Sequence, residues 1–211
     1  MSSIVIPGNF NNIPQIGPAN SAWGPQFNFT PPIDGDFTWT NQGSATITNQ
    51  GNSLLLTQPA GTPNSLAIRK KATLTPPYTV DVAFIYPTLA VNFFNAGMIW
   101  RESGSGKIVS IGVGNDATIG TNIVQANWNS PTSFNAAVAQ NSFTTNGIFF
   151  LRAEDDGANR IFSFSGDGEN WIVYVTVART SFITPDQIGF FADVHSTYTS
   201  LFNLLSWKES S

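Results

Sequence analysis

Two short stretches hold the side-chain types that sugar recognition uses. Trp100-Arg101-Glu102 and Asn127-Trp128-Asn129 each set an indole beside guanidinium, carboxylate or amide groups. A flat ring can cover the apolar face of a sugar while such polar groups bond its hydroxyls. In an extended chain neighbouring side chains point to opposite faces, so Trp100 and Glu102 share one face and Arg101 takes the other. Trp128 precedes an Asn-Ser-Pro loop, which gives it a rim position. Each indole also has a second placement, inside a sandwich core, and the dominance of buried aromatics in such cores favours it. The candidate glycan contacts are therefore Trp100, Glu102, Asn127, Trp128 and Asn129.

Catalysis is less well supplied. Glycoside hydrolysis needs two carboxylates about 5–5.5 Å apart for retention, or about 6.5–9.5 Å for inversion. Glu154, Asp155 and Asp156 precede Gly157 in a turn, and Asp167 and Glu169 sit at a hairpin tip, where acids bond local backbone N–H groups. Glu102 has no evident acidic partner. Arg152 and Arg160 flank the Asp155-Asp156 turn and read as a surface ion-pair cluster of little energetic weight. The one histidine, His195, follows a strand and reads as a loop imidazole. A calcium site needs several convergent oxygens, and neither Asn115-Asp116 nor Asp155-Asp156 shows a ligand spacing. With no cysteine there is no disulfide framework or thiolate site. The expectation is a protein that is not an enzyme, with no metal and no cofactor.

The elements that must position these residues are strands. The 211 residues include 17 Phe and 6 Trp, with 41% hydrophobic and only 10% charged side chains, against a usual charged share of about a quarter. That is too apolar for disorder, and the length suits one sandwich with a sizeable core. The net charge of −4 argues against nucleic acid as a partner. No apolar run reaches the length of a membrane-spanning helix. The N-terminus lacks the basic region of a conventional secretory signal.

From Phe37 onward short alternating runs are punctuated by Gly, Asn, Asp and Pro turns, and no 3.6-residue period persists. Strands are predicted at 37–40, 45–48, 53–57, 65–69, 78–86, 96–101, 107–113, 122–128, 148–153, 160–165, 171–178, 187–194 and 199–207. The fold class is all-β: two antiparallel sheets in a jelly-roll sandwich. Residues 1–33 form a separate extended arm, because six prolines exclude a helix or a central strand and no charge precedes Asp34. Its apolar residues, among them Phe10, Ile13, Trp23, Phe27 and Phe29, exceed what a solvated linker needs. Two uses are open: a strap on its own domain, 34–211, or an anchor in a partner.

The succession of motifs over about 33–209 resembles the concanavalin A-like lectin/glucanase jelly roll, in the version found as a terminal module of phage tail and other virion proteins. The residues that carry this are Gly35-Asp36-Phe37-Thr38-Trp39, Leu54-Leu55-Leu56, Ala96 through Glu102 with Ser105-Gly106-Lys107, Phe150-Leu151-Arg152 through Gly157, Ser165 through Trp171, Asp186 through Phe191, and Ser206-Trp207-Lys208-Glu209. Its glucanase branch carries a Glu-x-Asp-x-x-Glu strand, which this sequence lacks.

The resemblance implies a non-catalytic virion-associated module, a phage appendage or capsid decoration subunit on the virion, bound to other virion proteins or to its own copies through the arm. Host-surface glycan is the implied ligand, and homo-oligomers are expected. The alternative is a bacterial lectin-like carbohydrate-binding domain at the cell surface or outside the cell. A hydrolase and a ligand-free cement protein are the remaining readings.

Overall fold

Among the described residues, short turns between alternating runs give fourteen antiparallel strands in two seven-stranded sheets. The computed structural model describes residues 27–86, 94–142, 147–193 and 196–211. The strands are β1 (Thr38–Thr40), β2 (Thr46–Asn49), β3 (Leu54–Gln58), β4 (Leu66–Ala72), β5 (Tyr78–Ile85), β6 (Phe94–Arg101), β7 (Ile108–Asp116), β8 (Gly120–Ser130), β9 (Ser133–Ser142), β10 (Ile148–Asp155), β11 (Asn159–Ser165), β12 (Trp171–Ala178), β13 (Gln187–Asp193) and β14 (Ser200–Ser210). The first sheet runs β1-β4-β13-β6-β7-β8-β9 and the second β12-β11-β10-β5-β14-β3-β2. The all-β sandwich expected from the sequence is what forms.

The inner faces follow the period of two. Alternate residues Phe94, Ala96, Met98 and Trp100 of β6 meet Val80, Val82 and Phe84 of β5 across the interior, all nearly or wholly buried. Phe37 seals one side of this core, edge-on to Phe190 and Trp207 with ring centroids 5.1 and 5.0 Å away. Burial of this many large rings is the dominant favourable term for the fold.

One predicted gap between strands is itself a strand. Residues Ser133–Ser142 form β9, an edge strand with most of its residues exposed. Its Ala-Ala-Val-Ala centre has no polar alternation because neither face is buried deeply enough to require one.

Residues 27–33 strap the second sheet. Phe27 packs against Phe150, centroid to centroid 4.9 Å, and against Phe29 at 5.1 Å. Its ring also lies on Gly168, where an added Cβ would meet the Phe27 Cβ at 2.7 Å and φ is +81°. Register slips between Leu204 and Ser206 in the pairing of β14 with β5. Beside this bulge the Trp207 backbone N–H donates to the Thr30 carbonyl (2.9 Å) and the Thr30 N–H donates to Ser206 Oγ (2.8 Å). Phe27 is therefore committed to its own domain and is not available as a partner anchor. Phe29 remains 43% exposed. Phe10, Ile13, Trp23 and His195 lie outside the described residues.

Candidate functional site

Sheet one has an unusual outer face. In most sandwiches the outer face of a sheet is polar, but here Leu66, Ile68, Ile99, Ile108, Ala126, Trp128 and Phe191 form a second buried apolar cluster. The β8–β9 hairpin accounts for the closure. Its pairing slips at three places, at Gln125/Ala126, Asn127/Trp128 and Trp128/Ser130. Each slip bends the ribbon further. At the turn the Pro131 carbonyl accepts the Leu66 N–H at 2.8 Å, although β13, β6 and β7 lie between β8 and β4 in the sheet. The hairpin tip has thus folded back over the outer face and tied itself to the far side.

Between this hairpin and the sheet lies an open cavity of about 310 Å³. Register places its lining. Asp193 and Asn95 neighbour each other on β13 and β6; Asn95 pairs with Gly114, which pairs with Asn122 of β8. The next row toward the hairpin is Gly97, Gly112 and Val124, with Gln140 of β9 beside it. The far wall is apolar: Ala126, Ala137, Trp128 and Phe134. Asn64, Phe94, Asn115 and Asp116 complete the lining.

Glycine on the neighbouring strand makes room for Asn95. A Cβ on Gly112 would collide with the Asn95 side chain and come within 2.6 Å of the Ala96 carbonyl oxygen. Only a residue without a side chain lets Asn95 lie flat there. The Asn95 Oδ1 is buried and has no hydrogen-bond partner among the described residues, an unusual state for a buried carboxamide. On the apolar wall Trp128 donates from Nε1 to Ser110 Oγ (3.1 Å) and meets Phe134 edge-on at 5.2 Å. Trp128 is 3% exposed and Phe134 46%, so Phe134 is the ring that a ligand reaches first.

The two carboxylates of the lining are each occupied locally. Asp116 Oδ1 accepts the Thr118 N–H at 2.7 Å, and Asp193 Oδ1 accepts the Ser65 N–H at 3.1 Å. They are two strands and two residues apart in register, about 12 Å between Cα atoms by sheet spacing.

The structure separates the sequence candidates. Trp128 lines the cavity; Asn127 pairs with Val109 and Asn129 is exposed, its Oδ1 accepting from Asn135 at 3.1 Å, and neither is part of the lining. Glu102 is not part of the lining. Its carboxylate joins the β6–β7 turn to the segment before β13, accepting the Ser105 hydroxyl and the Thr184 N–H (2.9 Å), and these bonds hold its pKa below the usual carboxylate value.

Trp100 is a correction. It is fully buried between the sheets, donates to the Tyr78 hydroxyl at 2.9 Å and packs on Phe162 with centroids 4.5 Å apart, so it offers no face to a glycan. The arginine cluster is corrected too. Arg152 pairs with Asp81 of β5 in two bonds of 2.6 and 2.8 Å. Arg160 and Asp155 are both buried at the end of the core, near Trp100, with Asp155 held by Arg179 at 2.8 Å. Burial pulls the Arg160 guanidinium down to about 10 and pushes the Tyr78 hydroxyl well above its ordinary value.

No family model matches the sequence, and no curated protein matches it significantly. Solved structures do resemble it. The GH43 protein BlXynB of Bacillus licheniformis superposes with TM-score 0.67 at 12% identity over 83% of this chain, which spans only 37% of that protein. The carbohydrate binding module CBM66 of Bacillus subtilis gives 0.55 at 9% identity, covering 89% of this chain and 100% of the module. The exoplasmic/lumenal domain of VIP36, in its Ca²⁺/Man2-bound form, gives 0.54 at 8% identity over 82% of this chain and 80% of that one. The fold is a lectin-like β-sandwich.

Within this lectin-like sandwich, sequence reasoning missed Asn64, Asn95, Asn122, Phe134, Gln140 and Asp193. The signal that could have found part of the set is glycine at alternate strand positions, Gly112-Val113-Gly114 facing Asn95-Ala96-Gly97. Glycine inside a strand marks a place where something approaches the backbone closely.

Proposed function

We propose that this chain is a non-catalytic carbohydrate-binding module whose site is the cavity beneath the β8–β9 hairpin. The observation that carries the reading is the composition of that cavity: carboxamides on one side and the Trp128–Phe134 pair on the other. Carboxamides both donate and accept, which suits hydroxyls, and the rings take the C–H face of a sugar. Two of the structural neighbours are described by carbohydrate in their own names, a binding module and a Man2-bound domain. A non-catalytic role is supported by the lining carboxylates, which are spaced widely and bonded to local backbone instead of facing one another across the opening.

Of the settings expected from the sequence, a carbohydrate-binding domain in its own right has the support of these neighbours. The virion setting rests on the sequence resemblance alone. In either setting modest affinity per site would be raised by presenting several copies together.

Isothermal titration against hits from a glycan array tests the reading. We expect saturable binding that is lost in Asn95→Ala and weakened in Phe134→Ala, with unchanged far-ultraviolet circular dichroism. A folded protein that binds nothing on the array would overturn it. Release of reducing ends from a bound polysaccharide would instead make the protein a hydrolase.

A further inference from the structure

We infer that strand β12 is a docking edge for a second copy of this chain, which pairs with it antiparallel and joins the two second sheets into one. Among the described residues the sheets end in β1, β9, β12 and β2. Proteins keep such edges from pairing by making them short, bent, charged or proline-bearing. β1 and β2 are three and four residues long, and β9 is bent at three register slips. β12 has a single slip and no other defence. Its eight residues, Trp-Ile-Val-Tyr-Val-Thr-Val-Ala, hold no charge, no proline and no glycine. Five of them are β-branched, the type that favours strand pairing. Ile172 and Val173, on opposite faces, are 59% and 61% exposed. The outer side of the β12 backbone has no partner among the described residues.

Charge and register make the fitting partner a second β12. A strand without charge offers nothing to draw a basic or an acidic peptide. Two such strands meet with no like charges opposite one another, although the whole chain carries −4. The slip sets the register. Phe162 and Phe164 turn toward the core, so their partners Val175 and Ile172 do too, while Val173 pairs with Ser163 and faces outward. Tyr174 is the extra residue, and it reverses the alternation between the two halves of the strand. Two copies therefore match faces when Trp171 lies opposite Ala178 and Ile172 opposite Val177, with Val173 meeting Thr176 on the outside. The Glu169 end of one copy then lies beside the Arg179 end of the other, so opposite charges flank the pair. The two-fold axis of such a pair stands perpendicular to the sheet. Both first sheets fall on the same side, and their outer faces, each with its cavity, look the same way. On the carbohydrate reading, one dimer presents two sites to one glycan surface and gains in avidity.

The test is sedimentation equilibrium of the full chain over a wide concentration range, with hydrogen exchange read at both ends of it. We expect a monomer–dimer equilibrium, and exchange across residues 171–178 that slows as the dimer fills. Val173 and Thr176 are exposed, so a charge at either spares the fold. Val173→Lys should raise the Kd of the dimer about tenfold, because symmetry places the change twice in each pair. Adding Thr176→Glu to the same chain should restore most of the affinity, since each new lysine then faces a glutamate. That recovery separates a pairing edge in this register from a merely apolar patch. A chain still monomeric at about 1 mM, a dimer indifferent to Val173→Lys, or a double variant no better than the single one would overturn the inference. None of these readouts uses a sugar, so dimers that bind no glycan would overturn the carbohydrate reading alone.

Discussion

Trp100 and Trp128 belong to the same sheet and face opposite ways. Trp100 points into the space between the sheets, where both layers supply neighbours. Trp128 points outward, into a cluster roofed by one bent hairpin, and borders the cavity. Both are buried, 0% and 3% exposed, and both donate their indole N–H to a hydroxyl. What separates them is redundancy of support. The inner cluster draws buried residues from strands of both sheets, and the outer one depends on the curl of β8 and β9. Burial of an aromatic therefore says little about its role until the wall that buries it is known.

Substitutions can break that contrast, beginning with the largest effect. Trp100→Ala should remove about 3–5 kcal/mol of stability and strand the Tyr78 hydroxyl, seen as a large drop in urea midpoint. If the loss were under about 1 kcal/mol, the inner cluster would not be the main support of the fold. Gly112→Ala forces a methyl into Asn95 and the Ala96 carbonyl. It should cost about 1–3 kcal/mol and abolish glycan binding in protein that still folds, with the two losses read by urea titration and calorimetry. Phe134→Ala, at the exposed ring of the apolar wall, should change stability by less than about 0.5 kcal/mol yet lower affinity about tenfold, ~1.4 kcal/mol. Equal damage to stability and affinity would place Phe134 in the support of the cluster and not in ligand contact.

The smallest effect is electrostatic and lies outside both clusters, at the β11–β12 turn. The Asn170 backbone N–H, with its side-chain amide and the Glu169 N–H, holds the Asp167 carboxyl far below the usual carboxylate value. The folded state then binds this proton less readily than the unfolded chain, whose aspartate titrates near 3.9. Stability from this turn is present above about pH 4 and fades as the pH falls toward the folded value. Melting temperature should be flat from pH 7 to about 5 and then decline, and Asp167→Ala should show a shallower decline. Identical slopes for the two proteins would show that the turn contributes no linkage.

Most of the sandwich was legible because inner-face alternation is imposed by the core itself. Tyr78, Val80, Val82 and Phe84 announce β5 without reference to anything distant. β9 was hidden because an edge strand with two wet faces has no pattern to impose. The site was harder for a different reason. Asn95, Asn122, Gln140 and Asp193 come from strands far apart in sequence and meet only through register, with Asn64 added from the loop before β4, and single-strand patterns encode none of this. Trp128 was found through its own chemistry. Asn127 and Asn129 were chosen for being adjacent to it, and adjacency in a strand means pointing away. The Asp155-Asp156-Gly157 turn misled in the same manner: Asp156 is solvated, bonding the Ala158 N–H at 2.7 Å, while its neighbour Asp155 points into the core end.

The bond from Trp207 to Thr30 bears on how the unit could be moved between proteins. A graft beginning at residue 34 would leave that donor beside a β-bulge without its acceptor, and would strip Phe27 from Gly168 and Phe150. A transplant that starts at or before Phe27 carries its own fastening for the closing strand. The smallest portable piece is therefore set by a carbonyl oxygen in what reads, from composition, as a separate arm.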